Sequence, residues 1–240
     1  MGLMAEPETV TLPQGTLADQ VFKQLQDDIV LGVLPPGSKL GETELANRYG
    51  VSRGPLREAI RRLETRKLVE RVPHVGARVV LLSLTDLIEI YHVREALEGM
   101  AAKLAAEHMS DAAITQLHEV LAQHEQQQDI KEDVAYFQRE GDLDFHYQVI
   151  HGSHNQSLIQ MLIGDIYHMV RMYRYQFSTV TNRPQLALRE HRQIVEAIEA
   201  RDGKLAEWLM RRHIRQAREN IERQHEQAAG TEPNVGIIKE

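Results

Sequence analysis

Hydrophobic residues recur at helical spacing in the first third of the chain. Val21, Leu25 and Ile29 lie four positions apart and predict a helix from about residue 17 to residue 31. The segment GVLPPGSKL follows, and its prolines and glycines cannot continue a helix. The segment ETELANRY then predicts a short second helix that ends at Gly50, because glycine is a favoured C-cap residue.

A third helix is predicted in the segment VSRGPLREAIRRLETRK. Ser52 is a good N-cap residue, and Pro55 falls in the first turn, where backbone N–H groups lack intrahelical partners. Leu56, Ile60 and Leu63 form the predicted buried stripe of this helix. The segments LVERV and ARVVL come next, and the turn residues PHVG between them predict a small β-hairpin.

From Ser83 onward the pattern is helical and shows no strands. Ser83 and Asp86 resemble a capping box, which opens a long helix. Further helices are predicted over residues 110–128 and 132–151, from Asn155 to about residue 178, from Pro184, and, beyond Asp202 and Gly203, to about residue 227. We therefore predict a mainly α protein, in which an N-terminal winged helix–turn–helix of three helices and a hairpin precedes an all-α antiparallel bundle of about six helices.

The charge is unevenly distributed along the 240 residues, whose net charge is −7. Residues 17–80 hold 11 Lys and Arg against 8 Asp and Glu, a net charge of +3, whereas residues 81–240 hold 17 against 25, a net charge of −8. A basic part followed by an acidic part predicts two domains with different partners. The expected organisation is a flexible leader (1–16), a winged DNA-binding domain (17–82), a helical effector, metal-binding and dimerisation domain (83–228) and a flexible tail (229–240).

Composition also limits the compartment and the chemistry. The chain contains no cysteine, no apolar run long enough to span a bilayer and no signal segment at its start. We therefore expect a cytoplasmic protein without a membrane partner. Any metal site must be built from histidine and carboxylate side chains, because thiolates are unavailable.

The third helix carries a concentration of positive charge. Arg53, Arg57 and Arg61 lie at i, i+4 and i+8 on a face different from the buried stripe, with Arg62 beside them. Residues 48–71 hold eight Lys and Arg against three Asp and Glu, so these arginines are expected to be nearly unpaired. One alternative is a solvated charged face. A helix–turn–helix with a wing instead favours insertion of this helix into the major groove of DNA, where arginine binds guanine edges or phosphates bidentately.

The segment ELANRYGVSRGPLREAIRRLETRKLVERV resembles the winged helix–turn–helix of the GntR family, whose signature is close to LA…GVSRTPVREAL…L…GLV. The resemblance implies that the start of the third helix faces the operator and that the wing tip reaches the minor groove. With Arg61 on the same face, the expected DNA-binding residues are Ser52, Arg53, Gly54, Arg57, Arg61, His74 and Gly76. Two positions depart from the signature, because Gly54 stands where threonine is usual and Lys67 replaces a helix-ending glycine.

Three histidines and one aspartate are predicted to point into the helical bundle. Asp142 and His146 are four positions apart, which would place them on one helix face. His191 and His213 each share a stripe with leucines and other apolar residues. One such histidine alone is more often a hydrogen-bonded core residue, but four inward ligands together predict a divalent metal site. The ion would be zinc, nickel, cobalt or manganese, since ligand type does not choose among them.

The remaining histidines are assigned to the surface or the core of the protein. They are His92, His108, His118, His124, His151, His154, His168 and His225.

The helical region resembles the FCD ligand-binding domain of the FadR subfamily of GntR regulators. The segment GDLDFHYQVIHGSHN is similar to its D-x-x-F-H…N motif, VREALEGMAAKLAA to its first helix, and REHRQIVEAIEARDGKLAEWLMRRHI to its last two helices. Together the two resemblances cover about residues 17–220. They imply a regulator that senses a small carboxylate, and most members of the family are repressors.

Arg94 lies on the same stripe as Leu87, Ile90 and Leu97, so its guanidinium is predicted to point inward. There it could bind an anionic effector. The alternative is a structural ion pair between Arg94 and a carboxylate of the bundle.

The sequence therefore predicts a DNA-binding transcriptional regulator and not an enzyme. A homodimer on a palindromic operator is expected, because one short helix reads too few bases. One alternative is a metal-dependent hydrolase with an accessory DNA-binding domain, although no HExxH pairing of a ligand with a general base is present. Another is a DNA-binding protein whose bundle serves only dimerisation.

Overall fold

The computed structural model describes residues 15–81, 83–127, 144–177 and 184–230. Its N-terminal part has three helices followed by an antiparallel hairpin, as the sequence predicts. The elements are α1 (Leu17–Val30), α2 (Glu42–Tyr49), α3 (Arg53–Thr65), β1 (Val69–Val72) and β2 (Gly76–Val79).

Capping residues define several ends of the first three helices, and Gly50 and Ser52 lie where the sequence predicts them. Thr16 caps α1, and its hydroxyl and the Asp19 side chain satisfy each other's backbone N–H groups as a capping box. Gly50 ends α2 with a left-handed φ of 65°. Ser52 is the N-cap residue of α3, although its side chain makes no capping hydrogen bond, and Pro55 lies in the first turn.

The wing is the β1–β2 hairpin, in which Val69 pairs with Val79 and Val72 with Gly76. An additional bridge joins Lys39 to Arg78, so the proline-containing connection after α1 extends the sheet by a short extended stretch. This bridge could not be predicted from the connection, whose sequence shows only turn residues.

The C-terminal part is helical throughout its described residues. Its elements are α4 (Leu84–His108), α5 (Asp111–Glu125), α6 (Phe145–Gly152), α7 (Gln156–Ile159), a π-helical turn (Gln160–Ile166), α8 (Tyr167–Phe177), α9 (Pro184–Glu199) and α10 (Gly203–Gly230). Ser83 forms the predicted capping box with Asp86, and Asn155 caps α7 through its side chain.

Two helix predictions in this part were wrong in detail. Most of the helix predicted over residues 132–151 lies outside the described residues, and it is not continuous within them, because Asp144 has extended backbone angles and is the N-cap residue of α6. The helix predicted from Asn155 to residue 178 contains the π-helical turn. A π-helical turn accommodates an extra residue and frequently marks a functional site, and hydrophobic periodicity did not reveal it.

Helix α4 lies at the centre of the bundle and packs along α10, with α6 and α9 also against it. Four alanines on α4 are fully buried, namely Ala101, Ala102, Ala105 and Ala106. A Cβ atom added at Gly99 would lie 2.5 Å from Cγ of Arg211, so the two long helices approach closely there. None of the helices within the described ranges is long and apolar enough to cross a membrane.

Candidate DNA-binding surface and metal centre

Helix α3 buries one face and exposes the other. Leu56, Ile60 and Leu63 are buried in the core that α3 shares with α1. The opposite face is exposed and carries Ser52, Arg53, Gly54, Arg57 and Arg61. We call Arg53, Arg57 and Arg61 the arginine face.

The arginine face is paired, so the expectation of nearly unpaired arginines was wrong. Nε of Arg57 donates to Oε2 of Glu42 at 2.7 Å, and Nη2 of Arg53 donates to Oγ1 of Thr43 at 3.1 Å. Both partners lie on α2, outside the segment whose charges were counted. Exposed pairs of this kind contribute only about 0–1 kcal/mol, so an arginine can exchange its partner for a phosphate or a base at small cost.

Arg62 does not belong to the arginine face. Its Nη1 donates to Oδ1 of Asp19 at 2.6 Å, and its guanidinium carbon lies 4.2 Å from the centre of the Phe22 ring. The hydrogen bond from Arg62, together with those from Thr16, lowers the pKa of Asp19 to about 2. Arg62 therefore joins α3 to α1 and faces away from a DNA surface.

The wing tip exposes His74, while Gly76 is half-buried. Both have left-handed backbone angles, with φ of 65° at His74 and 101° at Gly76. The amide of Val75 donates to the carbonyl of Val72 at 3.2 Å and closes the turn. The two predicted wing residues are thus on a tight turn that projects from the sheet.

The structure brings together the three histidines predicted as metal ligands. His146 is on α6, His191 on α9 and His213 on α10, and their side chains are 3%, 1% and 5% exposed. One ring nitrogen from each lies within 4.8 Å of the others. Such a set of three buried imidazoles on facing helices can hold a divalent ion.

Two buried carboxylates orient this cluster. Nδ1 of His146 lies 2.7 Å from Oε2 of Glu98, and Nδ1 of His213 lies 2.6 Å from Oε2 of Glu190. A carboxylate at Nδ1 fixes the ring tautomer and leaves Nε2 as the ligand atom. The sequence reading missed both glutamates, although Glu190 directly precedes His191 and Glu98 follows Arg94 by one helical turn.

The side chain of His191 is held by an aromatic neighbour. The Phe145 ring stacks on it with 4.0 Å between ring centres and 20° between planes. Nε2 of His191 lies 3.1 Å from Nε2 of His213. Two nitrogens that each bind one zinc ion at about 2.1 Å are roughly 3–3.4 Å apart, so the separation fits two ligands of one ion.

Asp142, the fourth predicted ligand, lies outside the described residues. That Asp142 and His146 share one helix face stays a prediction; within the described residues, α6 begins at Phe145, after its N-cap residue Asp144. Asp144 itself is fully buried and accepts hydrogen bonds at Oδ1 from the amides of His146 and Tyr147. Its Oδ2 accepts from the hydroxyl of Tyr167 at 3.1 Å.

Arg94 forms a structural ion pair with a carboxylate of the bundle, which was the alternative to effector binding. Its Nε donates to Oε1 of Glu98 at 2.5 Å, and both side chains are buried. Burial alone would raise the pKa of Glu98, but the charges of Arg94 and His146 outweigh burial and lower it below its ordinary value. Nη1 of Arg94 is buried and has no hydrogen-bond partner among the described residues.

A pocket adjoins the histidine cluster. It is narrow, and its polar lining comes from Arg94, Glu98, His146, Tyr167 and Arg171. Apolar side chains of α6, the π-helical turn and α8 complete it. Two guanidinium groups beside a potential metal ligand make this pocket suited to a small anion.

A winged helix–turn–helix with an exposed arginine-bearing helix, followed by a helical domain, defines a DNA-binding transcriptional regulator. Residues 17–79 match the family described as "Bacterial regulatory proteins, gntR family", and residues 89–216 match the FCD domain. The chain therefore belongs to the GntR family and carries an FCD domain.

Several known proteins are similar to this chain over most of its length. "Uncharacterized HTH-type transcriptional regulator YdhC" of Bacillus subtilis is 31% identical over 198 residues, which are 81% of this chain and 86% of that protein. "Probable D-xylose utilization operon transcriptional repressor" of Paenarthrobacter nicotinovorans is 33% identical over 85% of this chain and 88% of its own. "HTH-type transcriptional repressor RspR" of Escherichia coli is 29% identical over 89% of this chain and 92% of its own.

Solved structures share the fold. Escherichia coli McbR/YncC superposes with a TM-score of 0.70 at 22% identity, covering 88% of this chain and 100% of that one. A GntR-type regulator from Rhodococcus sp. RHA1 superposes with a TM-score of 0.64 at 20% identity, covering 85% of this chain and 96% of that one. The matched families and relatives are transcriptional regulators and not enzymes, so the hydrolase alternative is rejected.

Proposed function

We propose that this regulator is a cytoplasmic repressor that binds a palindromic operator as a homodimer. We further propose that a small carboxylate, bound at a metal ion in the FCD domain, changes its affinity for DNA. The observation that carries the proposal is the cluster of three buried histidines, two of them oriented by buried glutamates. Two relatives are named as transcriptional repressors, which supports repression as the direction of regulation.

The residues fit a divalent ion. His146, His191 and His213 would hold it, with Asp142 as a fourth ligand by resemblance to the family motif. Zinc, nickel, cobalt and manganese all accept imidazole and carboxylate ligands. The ion would supply a Lewis-acidic position beside the pocket, where a carboxylate oxygen can bind.

Arg94 is proposed to act on the effector as well as on Glu98. Arg94 lines the pocket, and its Nη1 is buried without a hydrogen-bond partner in the described ranges, although its Nε is paired. A buried guanidinium proton without a partner costs free energy that an incoming carboxylate oxygen would recover. Arg171 also lines the pocket and adds a second positive charge.

The proposed DNA surface consists of α3 and the wing. Arg53 and Arg57 are proposed to contact bases, Arg61 and Ser52 to contact phosphates, and the wing tip to enter the minor groove. Gly54 has open space around it, since an added Cβ would meet no atom within 4 Å. The full proposed set is Ser52, Arg53, Gly54, Arg57, Arg61, His74 and Gly76. The proposed domain boundaries are residues 17–82 for the winged domain and 83–228 for the FCD domain.

Metal analysis of the purified full chain tests the proposal. Protein prepared without chelator is expected to contain one equivalent of a divalent ion, and His146→Ala and His213→Ala are expected to lose it. His118→Ala is the control, because His118 pairs with Glu199 on the protein surface. Absence of metal from the wild-type protein would support a bundle that serves only dimerisation, and an unchanged metal content in both variants would exclude these ligands.

A further inference from the structure

The C-terminal end of α3 contacts the helical domain through Arg66. Arg66 is the C-cap residue of α3, and its Nη1 donates to Oε1 of Gln26 on α1 at 2.8 Å. The same Nη1 lies 2.9 Å from Nε2 of His168 on α8. Gln26 and His168 are only 3% and 4% exposed. One guanidinium group thus joins three helices across the boundary between the winged and helical domains.

His168 is the acceptor in this contact. Arginine carries only donors, so Nε2 of His168 must accept, which requires a neutral imidazole. Burial, reinforced by the positive charges of Arg66 and Arg171, lowers the pKa of His168 to about 3. The ring therefore remains neutral, and the hydrogen bond persists, throughout the physiological pH range.

Apolar contacts reinforce the same junction. Met169 and Met172 of α8 are buried in the hydrophobic cluster of the winged domain, together with residues of α1 and α3. The guanidinium carbon of Arg66 also lies 4.9 Å from the centre of the Phe22 ring. The junction thus combines a directional hydrogen bond with packed apolar side chains, which together fix an angle as well as a distance.

The same segment of α8 reaches the pocket in the helical domain. Tyr167, the neighbour of His168, lines the pocket and donates to Asp144, which caps the helix that carries His146. Arg171 also lines the pocket, and its charge opposes the rise that burial causes in the pKa of Asp27 on α1. Helix α8 therefore contacts both the pocket and the winged domain.

We infer that His168 is a positioning residue for operator binding, which holds α3 at a fixed angle to the helical domain through Arg66. In a dimer built on the helical domains, this angle sets the distance between the two recognition helices and hence the preferred spacing of the operator half-sites. The inference rests on the dimer part of the proposed function and is independent of the metal.

The test is the dependence of DNA affinity on half-site spacing. A duplex selected with the wild-type protein is compared with duplexes that have one or two base pairs added or removed between the half-sites. The wild-type protein is expected to show a sharp optimum. For His168→Ala, affinity at the optimal spacing is expected to fall about tenfold, because the released winged domain must be ordered on binding, while affinity for the other spacings changes little.

Two further variants separate positioning from folding. His168→Gln retains an acceptor for Arg66 and is expected to restore the optimum. Arg66→Lys keeps the charge but loses the planar donor fork. Like His168→Ala, it is expected to flatten the dependence of affinity on half-site spacing. It therefore provides the same test if His168→Ala fails to fold. His118→Ala, which breaks a contact inside the helical domain, is expected to keep the wild-type profile.

Each outcome decides the inference. Equal loss of affinity at every spacing in His168→Ala and Arg66→Lys would indicate a purely structural role and overturn it. A wild-type protein without any spacing optimum would overturn the proposed dimer on a palindromic operator, and the inference with it. A flattened profile in these two variants, with recovery in His168→Gln, supports the assignment.

Discussion

Nε2 of His191 and Nε2 of His213 lie 3.1 Å apart in a buried site. Each ring is fixed from another side, His191 by the stacked Phe145 and His213 by Glu190. Without an ion between them, one of the two nitrogens must donate a proton to the other. A divalent ion bound there would replace that proton and bind both nitrogens, so we expect metal affinity to depend on the residues that hold the two rings.

Glu190→Gln is therefore expected to weaken metal binding without removing a ligand. The amide can no longer accept the Nδ1 proton of His213 as strongly, and loss of such a partner costs about 10–100-fold in metal affinity. Competition with a coloured chelator measures the change in Kd. Glu199→Gln, which alters an exposed partner of a surface histidine, is the matched control. Identical affinity in Glu190→Gln and the control would show that Glu190 does not orient a metal ligand.

Arg94→Ala is expected to destabilise the helical domain. It leaves the carboxylate of Glu98 buried without its cation, which costs about 3–5 kcal/mol in the free energy of unfolding. Urea denaturation followed by circular dichroism measures the loss. The exposed pair of Arg215 with Glu95 gives the control, and Arg215→Ala should cost much less. Equal losses in the two variants would mean that the buried pair has no special role in stability.

Arg53 and Arg57 are expected to contribute to operator binding, whereas Arg62 is not. Arg53→Ala and Arg57→Ala should each cost about 1–3 kcal/mol in operator binding and reduce sequence preference. Arg62→Ala should leave sequence preference intact, because Arg62 is paired with Asp19 away from the proposed DNA surface. Footprinting and fluorescence anisotropy on specific and random duplexes measure both quantities. Wild-type footprints from Arg53→Ala and Arg57→Ala would contradict the proposed orientation of α3.

Lys67→Gly is expected to stabilise the winged domain by about 0.5–1 kcal/mol. Lys67 follows the C-cap of α3 with a φ of 57°, a left-handed conformation that is unfavourable for residues with a Cβ atom. Lys67→Ala is the control, because it removes the charge and keeps the Cβ. Both free energies of unfolding come from urea titration. A gain in the alanine variant equal to that in the glycine variant would assign the effect to charge instead of backbone conformation.

Asp19→Asn is expected to change the pH dependence of stability. The pKa of Asp19 is lowered to about 2 in the folded protein, so its ionised form stabilises the fold above its ordinary pKa of 3.8. That contribution is lost as the pH falls from about 3.8 towards 2. Unfolding free energies measured from pH 6 to pH 2 should differ most between wild type and variant at the upper end. A difference that grows on acidification would contradict the assignment.

Several helix starts were predictable from a capping residue or a proline that precedes an apolar stripe. Ser83, Asn155 and Pro184 mark three such starts in the sequence, and the structure has helices beginning directly after or at each of them. The inward direction of His191 and His213 also followed from periodicity, because a helix of regular pitch fixes which residues share a face.

Other features depend on contacts between distant segments. Glu42 pairs with Arg57 across the turn between α2 and α3, and no count of charges within one helix reveals such a partner. The start of α6 depends on Asp144, whose side chain accepts two backbone amides. The contact of Arg66 with His168 spans 102 positions of sequence, and only the packing of the two domains brings these residues together.

The π-helical turn Gln160–Ile166 has a consequence for the length of this segment. Because the turn accommodates one surplus residue, removing that residue would restore regular α-helical bonding and leave the direction of the following side chains unchanged. A deletion in the regular part of α8 before His168 would instead rotate the following residues by about 100°. The contact of His168 with Arg66 should therefore survive a one-residue deletion in the π-helical turn and be lost after the same deletion at Tyr167.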